Sequence, residues 1–232
     1  MRPQEKPEIA RLPLFAAMNP EEREIVFSAS FLQVFPPQLV LFEIGQRSDF
    51  LHVLVDGMVE LFTTNRDRDT TMAVIEPVRS FILAAAYTDM PYLMSARTLS
   101  ASRVMMIPSS VVRNAIDKDM AMMRSAMREL SLGYRGLVRS LTDMKLRQSV
   151  ERLANHLLLY SRKCGGANMF QLPMEKRLLA SLLGMTPENL SRAFGALIHH
   201  GVNVSGTTIE IVDRDKLEGF ARPDPFSDVD GQ

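Results

Sequence analysis

The stretch MEKRLLASLLGMTPENLSRAFGALIHH (174–200) reads as two short helices joined at a tight turn. The first helix runs to Leu183, and Gly184 breaks it. Thr186 is placed to cap the second helix, with Pro187 at its first position. There Leu190, Ala193, Phe194, Leu197 and Ile198 recur at i, i+3, i+4, i+7 and i+8, the period of a stripe that faces a core. Glu188, Ser191, Arg192, Gly195 and His199 fall on the opposite face. Two helices around a glycine turn, the second with polar groups at its exposed N-terminal end, have helix-turn-helix geometry.

The residue types on that face suit double-stranded DNA. Arginine donates a bidentate pair to guanine O6 and N7, glutamate accepts from cytosine N4, and a serine hydroxyl serves either kind of partner. Arg192, Glu188 and Ser191 are therefore the candidate base readers. Thr186 and Asn189 join the same DNA-binding set, and Lys176 is a candidate phosphate contact. VNVSGTTIEIV (202–212) reads as two strands around Ser205-Gly206, a wing able to reach the backbone. A polar outer face alone is usually only a wetted surface. Capped turn, core stripe, outward triad and wing together favour DNA.

Charge agrees with this. The 232 residues carry 27 Lys plus Arg and 27 Asp plus Glu. Residues 121–200, however, hold 12 basic against 5 acidic side chains, leaving 15 against 22 elsewhere. The excess of positive charge surrounds the helix-turn-helix, where a polyanion would sit.

Working outward, residues 146–221 form a compact winged module, and 222–232 a polar tail. A helix over about 146–161 stops at Arg162-Lys163-Cys164-Gly165-Gly166, basic residues followed by paired glycines. Cys164, the single cysteine, reads as an inert loop thiol. Before this module, residues 109–145 read as one long helix. Ile116, Met120, Met123, Met127, Leu130, Tyr134, Leu137, Leu141 and Met144 alternate at spacings of four and three, an a/d seam. Met123, Met127, Leu130, Tyr134, Leu137, Leu141 and Met144 are thus the candidate homodimer interface, with intramolecular packing as the alternative.

Residues 1–108 are a β-rich domain. Asn19 caps a first helix with Pro20 at its start. Short strand-like runs follow: FLQVF (31–35), QLVLFE (38–43), FLHVLVD (50–56), GMVELFT (57–63), TTMAVIE (70–76) and RTLSASRVMMIP (97–108). Asp56-Gly57 between two apolar runs is a hairpin signal. Many short strands with regular turns give a β-roll over 25–108, with a helical insert near 82–95. The fold class is α+β: an N-terminal β-roll, a long dimerisation helix and a C-terminal winged helix-turn-helix.

Other classes fit poorly. A small-barrel metal enzyme needs several converging ligands, and residues 25–108 contain one histidine, His52. Neither a nucleophile elbow nor a phosphate-cradling glycine loop is present, and no metal set is expected. The longest purely apolar run, 81–87, is far short of a membrane span, and the N-terminus MRPQEKPE lacks an apolar signal core. These features point to a cytoplasmic protein that is not an enzyme and has no membrane partner.

Over nearly its whole length the chain resembles the CRP/FNR family of bacterial transcription regulators. DFLHVLVDGMVELF (49–62) is similar to the family's sensor-domain strands, with Gly57 at the hairpin glycine, and GMTPENLSRAF (184–194) to its FNR-branch recognition helix. The resemblance implies a cyclic-nucleotide-binding-like domain and a homodimer reading an inverted repeat such as TTGA-N6-TCAA, with RNA polymerase as partner if the protein activates. It departs from the family where cyclic AMP binds: Phe81-Ile82-Leu83 and Tyr92-Leu93-Met94-Ser95 stand where a glutamate and an Arg-Ser pair are expected, and Leu137 and Val138 replace hydroxyl residues. No cAMP binding is therefore expected. Phe81, Leu83, Tyr92, Arg97 and Leu137 remain a candidate pocket for another effector. The four cysteines of an iron–sulfur cluster are absent. A haem cofactor, with His52 as ligand, is the alternative sensor; His52 as a core histidine is the simpler reading. His156 reads as helix surface, and His199 and His200 as the end of the recognition helix.

Overall fold

The computed structural model describes residues 1–66 and 68–224. The chain forms two compact units, divided between Gly133 and Tyr134. In chain order the first unit holds α1 (Lys6–Ile9), α2 (Pro20–Ala29), β1 (Phe31–Phe35), β2 (Val40–Phe42), β3 (Phe50–Asp56), β4 (Val59–Asn65), β5 (Arg68–Ile75), β6 (Arg79–Phe81), α3 (Leu83–Thr88), β7 (Ser95–Thr98), β8 (Ser102–Pro108) and α4 (Ser109–Lys118). The division falls inside α5 (Met120–Leu146). The second unit continues with α6 (Ser149–Lys163), β9 (Met169–Gln171), α7 (Lys176–Leu182), α8 (Pro187–Ile198), β10 (Val202–Ser205), β11 (Thr208–Ile211) and α9 (Arg214–Ala221). Among the described residues no helix is long and apolar enough to cross a membrane.

The β-roll consists of two antiparallel four-stranded sheets, ordered β1-β8-β3-β6 and β2-β7-β4-β5. Strand β3 shows why both faces are buried. Leu51, Val53 and Val55 join a core shared with Ile9, Phe15, Phe27 and Met105, while Leu54 joins a second core with Phe42, Phe81, Tyr92 and Val104. Alternate residues point to opposite faces, so one strand serves two cores and reads as a continuous apolar run.

Three expectations need correction here. Asp56-Gly57 does not turn a hairpin: β3 and β4 lie in different sheets, and the link carries the chain from one to the other. Gly57 has φ +94°, and a Cβ there would stand 2.6 Å from the Ala101 carbonyl oxygen. The close approach of the β7–β8 turn, not a two-residue hairpin, demands the glycine. The run 97–108 contains two strands, β7 and β8, separated at residues 99–101, and β6 had no sequence signal of its own. The helical stretch after residue 108 is two helices. Asp119 separates them because its carboxylate accepts from the N–H groups of Ala121 and Met122 (2.8 and 2.9 Å) and of Asn19 (2.7 Å). Burial pushes this carboxyl up, but the three N–H donors outweigh it and hold the carboxyl below its usual range. Ile116 thus sits on α4 and is buried, outside the seam.

Helix α5 is asymmetric. Met122 and Ala126 are buried, whereas Met123, Met127, Leu130, Tyr134, Leu137, Leu141 and Met144 are exposed. In the second unit, α6 packs against α8 and α9, and β10, β11 and β9 make a three-stranded antiparallel sheet. Gly165 and Gly166, both at positive φ, terminate α6, and Cys164 is exposed. Arg222 to Asp224 lie beyond α9; the rest of the tail lies outside the described residues.

Candidate nucleic-acid interface and sensor interior

The turn is built as its residues require. Helix α7 ends at Leu182 with Leu183 as its C-cap, Gly184 adopts φ +64°, and the Thr186 hydroxyl accepts from the Asn189 backbone N–H at 3.2 Å. Arg152, on α6, donates to the Leu183 carbonyl at 3.0 Å and to the Arg147 carbonyl at 2.8 Å. It satisfies a helix-end carbonyl and fixes the turn to α6. Sequence reasoning missed Arg152, since an arginine within an amphipathic helix carries no local signal of such a reach. Met144 also supports the turn: a Cβ on Gly184 would lie 2.5 Å from its methyl carbon.

On α8, Leu190, Ala193, Phe194 and Leu197 are buried, holding the helix on its unit. Ile198 is 58% exposed, a correction to the core stripe: it stands at the end of the helix, past the surface that covers Leu197. Glu188, Asn189, Ser191, Arg192, Gly195 and His199 are exposed, and Thr186 is half-buried at the cap. The Arg192 guanidinium donates to the Asn189 side-chain oxygen at 2.5 Å. Lys176, exposed at the start of α7, holds its ammonium 5.3 Å from the centre of the Phe194 ring. The wing is a two-strand ribbon, β10 with β11, closed by the pair Ser205 and Thr208 around Gly206 at φ +61°. His200 stacks on Phe220 with centroids 3.9 Å apart.

Within the roll the residues proposed for an effector pocket separate. Phe81 and Tyr92 lie in the core between the sheets, whereas Leu83 is buried in the other core. Leu137 belongs to the second unit and is 69% exposed. Arg97 is occupied: it donates to Glu60 and to Asp69, both at 2.7 Å, with its guanidinium 4.3 Å above the Phe62 ring. Glu60 is nearly fully buried and also accepts from Thr71. His52 is enclosed by aromatic rings, with centroids 5.0 Å from Phe42, 5.4 Å from Phe81 and 6.4 Å from Tyr92. Its Nδ1 is buried without a hydrogen-bond partner, and burial drives its pKa down to about 4 despite the Phe50 backbone. Among the described residues no three His, Cys, Asp or Glu side chains converge as a metal set.

Residues 32–119 match the cyclic nucleotide-binding domain, and residues 151–220 the Crp-like helix-turn-helix domain. A regulatory protein from Silicibacter pomeroyi DSS-3, suggested to bind cAMP, is 28% identical, with 96% of this chain and 100% of that one covered and a TM-score of 0.59. FixK2 from Bradyrhizobium japonicum is similar in fold (TM-score 0.72, 22% identity, 82% of this chain and 96% of that one). The "Anaerobic regulatory protein" of Pasteurella multocida (strain Pm70) is 24% identical over 179 residues, 75% of this chain and 66% of that protein. The chain thus spans just under two thirds of that relative. A cyclic-nucleotide-type roll followed by a Crp-like helix-turn-helix is the order of the domains found here, and the chain belongs to the CRP/FNR family of transcription regulators.

Proposed function

We propose that the protein is a homodimeric regulator that reads an inverted repeat resembling TTGA-N6-TCAA and does so without cyclic AMP. The observation that carries the reading is the exposed face of α8, where Glu188, Ser191 and Arg192 stand together above a capped and buttressed turn. Arg192 serves the guanine, Glu188 a cytosine amino group, and Ser191 a neighbouring base edge or thymine methyl. Lys176 and the wing tip serve phosphates, which position the helix without reading sequence. The exposed apolar stripe of α5 supports dimerisation, because such a surface on a monomer marks an interaction site. RNA polymerase is the partner if the dimer activates.

The roll's interior supports an effector other than a cyclic nucleotide, or none. A cyclic phosphate needs a guanidinium, and Arg97 already serves two carboxylates. A haem does not fit either. Axial ligation requires an open approach to an imidazole nitrogen, and His52 is walled by three rings and only 4% exposed.

Purified protein titrated onto a TTGA-N6-TCAA duplex tests the proposal. Nanomolar binding without additives, unchanged by millimolar cAMP or cGMP, is expected. Arg192→Ala should weaken binding by about 1–3 kcal/mol and relax the preference at the guanine. Unaltered base preference in that variant, or a cAMP-dependent gain in affinity, would overturn the corresponding part.

A further inference from the structure

We propose that Asn189 is a positioning residue for base reading: it holds the Arg192 guanidinium in its reading orientation before DNA arrives. The inference rests on the proposed reading of α8 and names a residue that acts through Arg192. Three side chains at i, i+3 and i+6 form a relay along one side of the helix. The Thr186 hydroxyl fixes the Asn189 backbone, and the Asn189 side-chain oxygen Oδ1 accepts from Arg192 Nη2 at 2.5 Å.

An arginine on an exposed helix face has many rotamers, and ordering it at an interface opposes binding. The Asn189 bond removes part of that freedom in the unbound protein. It occupies one of five N–H donors, leaving four, enough for the bidentate pair with guanine O6 and N7. Asparagine suits this post. Its amide oxygen accepts without adding a negative charge that would repel phosphates, and its short side chain reaches i+3 along the helix.

The direct alternative is that Asn189 itself reads an adenine through N6 and N7. The two roles differ in a measurable way. Full-length wild type, Asn189→Ala, Arg192→Ala and the double variant are each selected against a duplex pool with a randomised core, and affinities are then measured on the wild-type motif. If Asn189 acts through Arg192, Asn189→Ala weakens binding by about 2- to 10-fold and flattens the preference at the same guanine that Arg192→Ala affects. In the Arg192→Ala background the same change has less than about a 2-fold effect, because the two residues act as one unit. Asn189→Asp retains an acceptor for Arg192, so it keeps the guanine preference while losing affinity evenly across sequences. Circular dichroism confirms that each variant is folded.

Loss of preference at an adenine, or a full Asn189→Ala effect persisting without Arg192, would overturn the positioning role. So would an Asn189→Ala protein with wild-type motif and affinity. An Arg192→Ala protein with an unchanged motif would instead defeat the underlying reading of α8, a separate and distinguishable failure.

Discussion

The Ser80 hydroxyl donates a hydrogen bond to the Glu129 carboxylate, tying strand β6 to the first half of α5. Glu129 sits beside the buried line of Met122 and Ala126, where helical periodicity would favour an apolar side chain. Phe81, the next residue after Ser80, stacks on His52 between the sheets. A shift in the roll's interior is therefore two residues from a bond that grips the helix carrying the proposed dimer stripe.

Burial raises the Glu129 carboxyl above its usual range, against the opposing Arg79 charge and the Ser80 backbone N–H. A raised folded-state pKa means that the folded protein binds the proton more tightly than the unfolded chain. Its contribution to stability is thus present at acid pH and lost as pH rises through the folded value. Glu129→Gln keeps an acceptor for Ser80 and removes the titration. Its melting temperature should exceed that of wild type at pH 7, and the gap should close on acidification towards pH 4. Parallel thermal melts from pH 4 to 8 check this; a gap independent of pH would exclude Glu129 as the responsible group.

Gly57 offers a sharper test of the roll. At φ +94°, with a new Cβ only 2.4–2.6 Å from atoms of Ala101 and Ser102, Gly57→Ala must displace the β7–β8 turn. Left-handed backbone at a non-glycine costs about 1–3 kcal/mol, and the clash adds to it. Chemical denaturation should show a loss of at least about 2 kcal/mol. A fall under about 0.5 kcal/mol would mean that the turn yields freely.

That glycine also shows where sequence reading succeeds and where it stops. Asp56-Gly57 signals a break between strands, and the break is there. Which sheet the next strand joins depends on contacts some forty residues away, with Ala101 and Ser102, and no local pattern encodes them. The turn of the helix-turn-helix was legible because cap, first-position proline and glycine are chemically local: Thr186, Pro187 and Gly184 each do what their residue type dictates. Asp119 had a local signal as well, a capping residue before Met120, but the unbroken heptad spacing across it obscured the stop. A lone arginine among apolar neighbours favours a local carboxylate over an anion at Arg97, and the structure bears this out; that the partners are Glu60 on β4 and Asp69 on β5 depends on strand pairing that no local pattern encodes.

His52 gives the roll a pH signature of the opposite sign to Glu129. Its pKa is driven down to about 4 by burial, so the unfolded chain takes up a proton that the folded chain refuses. Stability should fall as pH drops below about 6.5 and level off near 4, a loss of about 3 kcal/mol over that window. His52→Leu, similar in size and without a titrating group, should lack this part of the acid loss. If wild type and variant lose stability in parallel between pH 6.5 and 4, the imidazole is not buried in neutral form.

The α5 stripe makes the last prediction. Leu130 and Leu137 are 36% and 69% exposed in the single chain, so placing aspartates there disturbs neither core. If the stripe meets a second copy, however, Leu130→Asp with Leu137→Asp buries charges without partners at the seam. An uncompensated charge in such a position costs about 3–5 kcal/mol, enough to dissociate a dimer at micromolar concentration. Sedimentation should then show a monomer with unchanged far-ultraviolet circular dichroism. Binding to the two-half-site duplex should collapse, because a monomer engages one half-site and loses the gain from the second. Single half-site binding, weak in both proteins, should be alike in wild type and variant. A double variant that remains a dimer and still binds the full site would place the interface elsewhere on the molecule.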